Sequence, residues 1–184
     1  MKIIKNIAII TLVSSLASLF TYSSANETST NYERALAQSL ATVKSEIQLV
    51  EELKDSSSPL NLMSNDAKHE FVNSISFSEK GITSFNYKVL ESELTPTEIY
   101  RVLSLFGMQR LVPMFKDARI VTESDYLLMN RPENTSNSGL SKSEFGTSDF
   151  GAEKPVLDAD HKGYRCSARA TCSRSMSEIC TSNC

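Results

Sequence analysis

The chain has no tryptophan, only two histidines in 184 residues, and no cysteine before position 166. Each shortage narrows its chemistry. His69 and His161 are the sole imidazoles available for a Ser/His/Asp or Cys/His site, and no serine stands in a nucleophile-elbow context. The six glycines form no phosphate-cradling run. Glu91, Glu93 and Glu98 gather near an expected helix start, where the helix dipole accounts for them. Asp158, Asp160 and His161 fall in a stretch too loosely built to hold metal geometry. The expectation is a non-enzymatic protein without cofactor or metal. Basic excess is lacking too: the formal net charge is −3, which disfavours nucleic acid as a partner.

No hydrophobic run is long enough to span a bilayer. The longest, Ile7 to Phe20, has 14 residues, short of the roughly 20 that a transmembrane helix needs. It follows Lys2 and Lys5 and leads to Ser23-Ser24-Ala25, the small residues a signal peptidase reads. Residues 1–25 therefore read as a secretory signal peptide cleaved after Ala25. No cysteine lies near that site for lipid attachment. The expected destination is secreted or periplasmic.

What the chain does have is concentrated at one end. Cys166, Cys172, Cys180 and Cys184 lie in the last 19 residues. Export to an oxidising compartment makes disulfides the expected state, with three possible connectivities. Zinc is the rival reading, but only Cys180 and Cys184 approach knuckle spacing. Seven serines and threonines among the cysteines also leave thioether chemistry as a weak third reading. Cys180 and Cys184, four residues apart, are expected on one helical turn. Charge reverses here as well. Lys162, Arg165, Arg169 and Arg174 face one acid, Glu178, so residues 162–184 carry +3 against −8 for residues 26–161.

The fold class expected is α+β: a small helix-rich body over 26–131 with one β-hairpin, a disordered linker over 132–161, and a disulfide-stapled tail over 162–184. Residues 26–31 are polar and expected to be unstructured. Thr30 and Glu33 suggest a capping box opening a helix to about Lys54. Leu36, Leu40, Val43, Ile47 and Val50 recur at heptad spacing along it, a seam for its own domain, a partner helix or a second copy. Asn65 is a candidate cap for a short helix reaching His69. Phe71, Asn73, Ile75 and Phe77 then alternate as a strand, Ser78 to Gly81 forms a turn, and Ile82 to Tyr87 returns. Thr95-Pro96-Thr97-Glu98 opens the clearest helix and Gly107 closes it. Ala118 to Val121 suggests a brief strand, and Thr122 to Asp125 opens a helix offering Tyr126, Leu127 and Met129 for packing. The composition of 133–160 cannot offset the entropy of ordering.

The function expected is an exported protein whose tail binds another macromolecule or a cell surface through Arg165, Arg169 and Arg174. The alternative is a precursor that releases the tail as a cationic, cysteine-rich bioactive peptide of antimicrobial or toxin type, masked by the acidic body.

Overall fold

A computed structural model describes residues 22–130 and 160–184. The signal segment up to residue 21 and most of the expected linker lie outside the described residues. The architecture is α+β, as expected, with helices packed around an antiparallel four-stranded sheet of order β1-β2-β4-β3. Among the described residues no helix is long and apolar enough to cross a membrane.

The first helix corrects two expectations. α1 spans Tyr22–Leu40, taking in the polar stretch 26–31 and overrunning the cap expected at Thr30. It then stops well short of Lys54. Val43 is 1% exposed, and its amide donates to the Leu105 carbonyl at 2.9 Å. That long-range bond takes an amide a continuous helix would need, so the chain breaks and restarts. Ser45 caps the restart by accepting from the Gln48 amide, and α2 runs Glu46–Glu52. The heptad seam is therefore not one stripe. Val43 belongs to the core, while Leu36, Leu40, Ile47 and Val50 are exposed.

Past a 3-10 turn at Pro59–Leu62, Ser64 caps α3, Asn65–Ser74. This helix replaces the first half of the expected strand. Ala67, Phe71 and Ile75 share a spacing of four, and the first two are buried, so the helical period wins over the alternation of 71, 73, 75 and 77. Glu93 fixes the start, accepting from the Ser64 amide at 2.8 Å and hydroxyl at 2.6 Å. The hairpin survives in shortened form as β1, Ser76–Ser78, and β2, Gly81–Asn86. Gly81 takes positive φ at its turn, as expected. β2 is buried from Gly81 to Phe85, which makes it a central strand.

Asn86 caps α4, Tyr87–Glu93. α5 spans Pro96–Ser104 with the Thr95/Glu98 capping box and first-turn proline that the sequence announces. Gly107 follows with φ +69°, and a Cβ there would lie 2.7 Å from the Ala37 carbonyl. Glycine is thus required both by the backbone and by the closeness of α1. A 3-10 segment covers Gln109–Met114.

The strand expected at Ala118 to Val121 does not form. Asp125 accepts from the Val121 and Thr122 amides at 3.1 and 2.8 Å, drawing this stretch into the cap of α6, Glu123–Met129. Tyr126 and Leu127, expected to pack, are exposed, while Asp125 is buried.

The largest difference is at the end of the chain. β3, His161–Ala168, and β4, Thr171–Cys180, form a second hairpin. β4 pairs with β2 through Ser84 opposite Cys180, Phe85 opposite Ile179 and Asn86 opposite Glu178. The tail is thereby continuous with the body's sheet. The expected helical turn at Cys180 is a strand end followed by a turn closed by Cys184 N–H to Thr181 O at 3.0 Å. Ile179 has no exposed surface and joins the core that holds Phe71, Phe85, Ile99, Leu103 and Phe115.

Candidate functional site

The C-terminal hairpin divides into a base and a tip, and the register shows where. Lys162 lies opposite Ile179, but Tyr164 lies opposite Arg174. Two steps along β3 thus match five along β4, and residues 175–178 form an oversized bulge. Gly163, with φ +86°, marks the bend on the facing strand. A bulge of this kind turns the ladder sharply. The turn is large: Cys172 and Cys180 are eight residues apart within β4, a reach of about 26 Å if extended, yet their Cα atoms are 6.0 Å apart. The tip is folded back onto the base.

Two disulfides hold it there. Cys172–Cys180 and Cys166–Cys184 form, the second with a Cα separation of 5.6 Å. Each joins a cysteine of the tip to one of the base, and no described cysteine is free. The Ala170 amide adds a hydrogen bond to the Cys184 carbonyl oxygen at 2.6 Å. The tip ends in a two-residue turn, Arg169-Ala170, with Ala170 at φ +59°. That position favours glycine or asparagine, so the turn carries none of the residues by which hairpins are usually recognised.

The base is anchored by charge as well as by β4. Asp160 receives two hydrogen bonds from Arg110, each 2.9 Å, and one from the Ser182 amide. Lys162, counted in the tail's positive charge from sequence, is drawn into the body. Its Nζ lies 2.9 Å from Glu91 Oε1, donates to the Met114 carbonyl at 2.8 Å, and sits 4.2 Å from the Tyr87 ring centroid. Thr181 and Asn183, both buried, donate through their side chains to the Ile82 carbonyl at 2.6 and 3.1 Å. Gln38 of α1 donates to Asn183 Oδ1 at 2.9 Å.

These contacts revise the reading of the acids and histidines. Glu91 answers a lysine rather than a helix dipole. Glu93 secures Ser64, and Glu98 serves its capping box. Asp160 and His161, expected in a linker, are ordered, and His161 stands edge-on to Tyr164 at 5.9 Å. Among the described residues His69 is hydrogen-bonded to Asn73. Among the described residues Asp125 is the buried carboxyl whose surroundings most favour ionisation. Its burial opposes ionisation, but hydrogen bonds from the Thr97 hydroxyl and amide, and from the Thr122 and Val121 amides, outweigh that and hold it far below the usual carboxylate range.

The three arginines are not gathered into one patch. Tyr164 and Arg174 are opposed in the ladder, as are Arg165 and Ser173, so Arg165 and Arg174 project from opposite faces. Arg165 approaches Glu178 at 3.6 Å. Arg169 and Arg174 are exposed, and neither takes part in an ion pair among the described residues. Arg174 borders a shallow recess of about 360 Å³ with Lys162, Gly163, Tyr164, Ser175 and Met176. Met176 is 88% exposed at the crest of the bulge.

Sequence reasoning named the cysteines and arginines but missed the base: Arg110, Asp160, Thr181, Ile179 and Asn183. The one signal for it was the alternation of 179, 181 and 183, which puts one apolar and two hydrogen-bonding residues on a single face. No protein-family model matches this chain, and neither the curated proteins nor the solved structures yield a significant match.

Proposed function

We propose that the protein is exported and acts without catalysis, by presenting the disulfide-locked hairpin tip to an anionic surface or macromolecule. The observation that carries this reading is the contrast within one hairpin. Two disulfides fix the tip's shape, while Arg169, Arg174 and Met176 stand exposed on it. A cross-linked tip loses little conformational freedom on binding, which favours affinity. Cationic side chains beside an exposed methionine suit a surface that is negatively charged with apolar material beneath. The exposed Leu36, Leu40, Ile47 and Val50 of α1 and α2 offer a second contact in the same proposal, for a partner helix or a second copy.

A permanent module is favoured over a released peptide. Ile179 and Thr181 are buried in the body, and β4 is hydrogen-bonded to β2. Removing the tail would strip a strand from the sheet and open the core.

The experiment has two parts. Intact mass of the exported protein should correspond to a start at Asn26 and rise by four hydrogens on reduction, two for each disulfide. Co-sedimentation should then show binding to phosphatidylglycerol-containing vesicles, weakened by salt, and not to phosphatidylcholine vesicles. An Arg169→Glu/Arg174→Glu variant should lose that binding while keeping its melting temperature. Unchanged binding by the variant would sink the proposal, as would a free peptide beginning near Lys162.

A further inference from the structure

The four sulfurs are arranged for more than passive cross-linking. The sulfurs of Cys172, Cys180 and Cys184 all lie within 4.8 Å of one another, although Cys184 is bonded to Cys166 and not to either of them. The two disulfides are therefore adjacent. A second juxtaposition lies in the ladder, where Cys166 and Cys172 are direct cross-strand partners. Directly opposed residues have Cα atoms about 4.5–5.5 Å apart, within the span a disulfide bridges. Cys184 thus lies beside the second bridge, and Cys166 and Cys172 stand opposed across the ladder.

We propose that this hairpin is a thiol-triggered disulfide switch. It exchanges the pairing Cys166–Cys184 and Cys172–Cys180 for the pairing Cys166–Cys172 and Cys180–Cys184. The trigger is an external thiolate, which attacks Cys166 Sγ. The S–S bond breaks with its electron pair leaving on Cys184 Sγ, and Cys166 becomes a mixed disulfide. The carbonyl oxygens of Ala168 and Thr171, 3.2 and 3.5 Å from Cys184 Sγ, accept its hydrogen when protonated and keep it beside the second bridge.

As a thiolate, Cys184 then attacks Cys180 Sγ. The pair leaves on Cys172 rather than Cys180, because Cys180 is fully buried and Cys172 is partly open to water, and an apolar burial site disfavours a thiolate. Finally Cys172 attacks Cys166 Sγ across the ladder and expels the external thiolate. Two disulfides stand at the start and two at the end, so no oxidant or reductant is consumed and the thiol is regenerated.

The structural consequence follows from where the bridges run. Both present bridges tie the tip to the base. In the exchanged pairing one bridge lies within the tip and the other within the base. The fold-back is then held by the bulge geometry and non-covalent contacts such as the Ala170 amide hydrogen bond. The base, secured by β2, Arg110 and Glu91, stays in place. The switch thus frees the arginine-bearing tip without unfolding the body, whatever surface that tip engages.

The test uses the native chain. Trypsin sites at Arg165, Arg169 and Arg174 separate the cysteines into the peptides 166–169, 170–174 and 175–184. In the present pairing all three peptides are joined as one species. In the exchanged pairing 166–169 is joined to 170–174 alone, and 175–184 carries an internal bridge. The oxidised protein is incubated with substoichiometric glutathione, quenched in acid, alkylated, denatured and digested without reduction. The expected result is the appearance of the two-species pattern at a rate that rises with pH as the thiolate fraction grows, to a final proportion that does not depend on the glutathione concentration because the thiol is regenerated, and its absence without thiol. Persistence of the single three-peptide species, or plain reduction with alkylated Cys166 and Cys184, overturns the proposal.

Discussion

The base and the tip of the C-terminal hairpin are neighbours in sequence and are stabilised by different physics. The base is body. Ile179 lies in the hydrophobic core, β4 completes the sheet beside β2, and Asp160 and Lys162 are paired with Arg110 and Glu91. The tip has no buried apolar side chain between Gly163 and Met176 and depends on two covalent bonds. A strand can borrow a core from its neighbours. A short loop-rich segment without one must be cross-linked. The chain thus places its exposed Arg169 and Arg174 on a part whose shape is set by disulfides, and mounts that part on one whose position is set by packing.

The comparison is broken most severely at the base. Ile179→Ala should cost about 2–5 kcal/mol, the range for deleting a fully buried large aliphatic side chain, and should lower the melting temperature of the whole protein. If only the hairpin loosened and the body's transition stayed put, the base would not be part of the cooperative unit. Replacing Cys166 and Cys184, neither of them fully buried, together by serine should cost about 3 kcal/mol on the loop-closure estimate. Here the loss should be local: hydrogen exchange rises over 164–176 while β2 keeps its protection.

Acid should separate the regions in a different way. Asp125 has its carboxyl held below its unfolded value of 3.8. A depressed folded pKa means that its contribution is fully present above about pH 4 and lost as pH falls through the folded value. Below pH 4 the body should therefore weaken while the covalent tip does not. Asp125→Asn should remove that part of the pH dependence and cost about 1.5–3 kcal/mol at neutral pH, the scale of hydrogen bonds to a charged group. A variant with an unchanged acid profile would show that other carboxylates carry it.

The smallest effect sharpens the tip. Ala170→Gly relieves a positive-φ alanine worth about 1–2 kcal/mol, offset in part by the greater freedom of glycine when unfolded. The expected net gain is under about 1 kcal/mol, visible as slower local exchange at residues 168–171. Faster exchange there would show that the turn does not strain alanine.

Several features were legible because they depend on neighbours in sequence. The capping box at Thr95 to Glu98, the glycine turns at 81 and 107, and the capped start of α6 are written in four or five consecutive residues. Where a local pattern admitted two periods, as at Phe71 to Phe77, burial of Ala67 with Phe71 decided for the helix. The break at Val43 left no local mark, since the amide that ends the helix bonds to Leu105, far along the chain.

The clustering of Cys166, Cys172, Cys180 and Cys184, the reversal of charge at the tail and the need for cross-linking were decided by the residues themselves, since they follow from composition and spacing. Tertiary structure alone decided which cysteines pair, which arginines stay exposed, and that the tail is a strand of the body. Strand pairing satisfies backbone groups without regard to side-chain identity, and the bulge at 175–178 brings Cys172 over Cys180. Neither act is written in any short stretch of the chain. Both depend on what lies across the sheet.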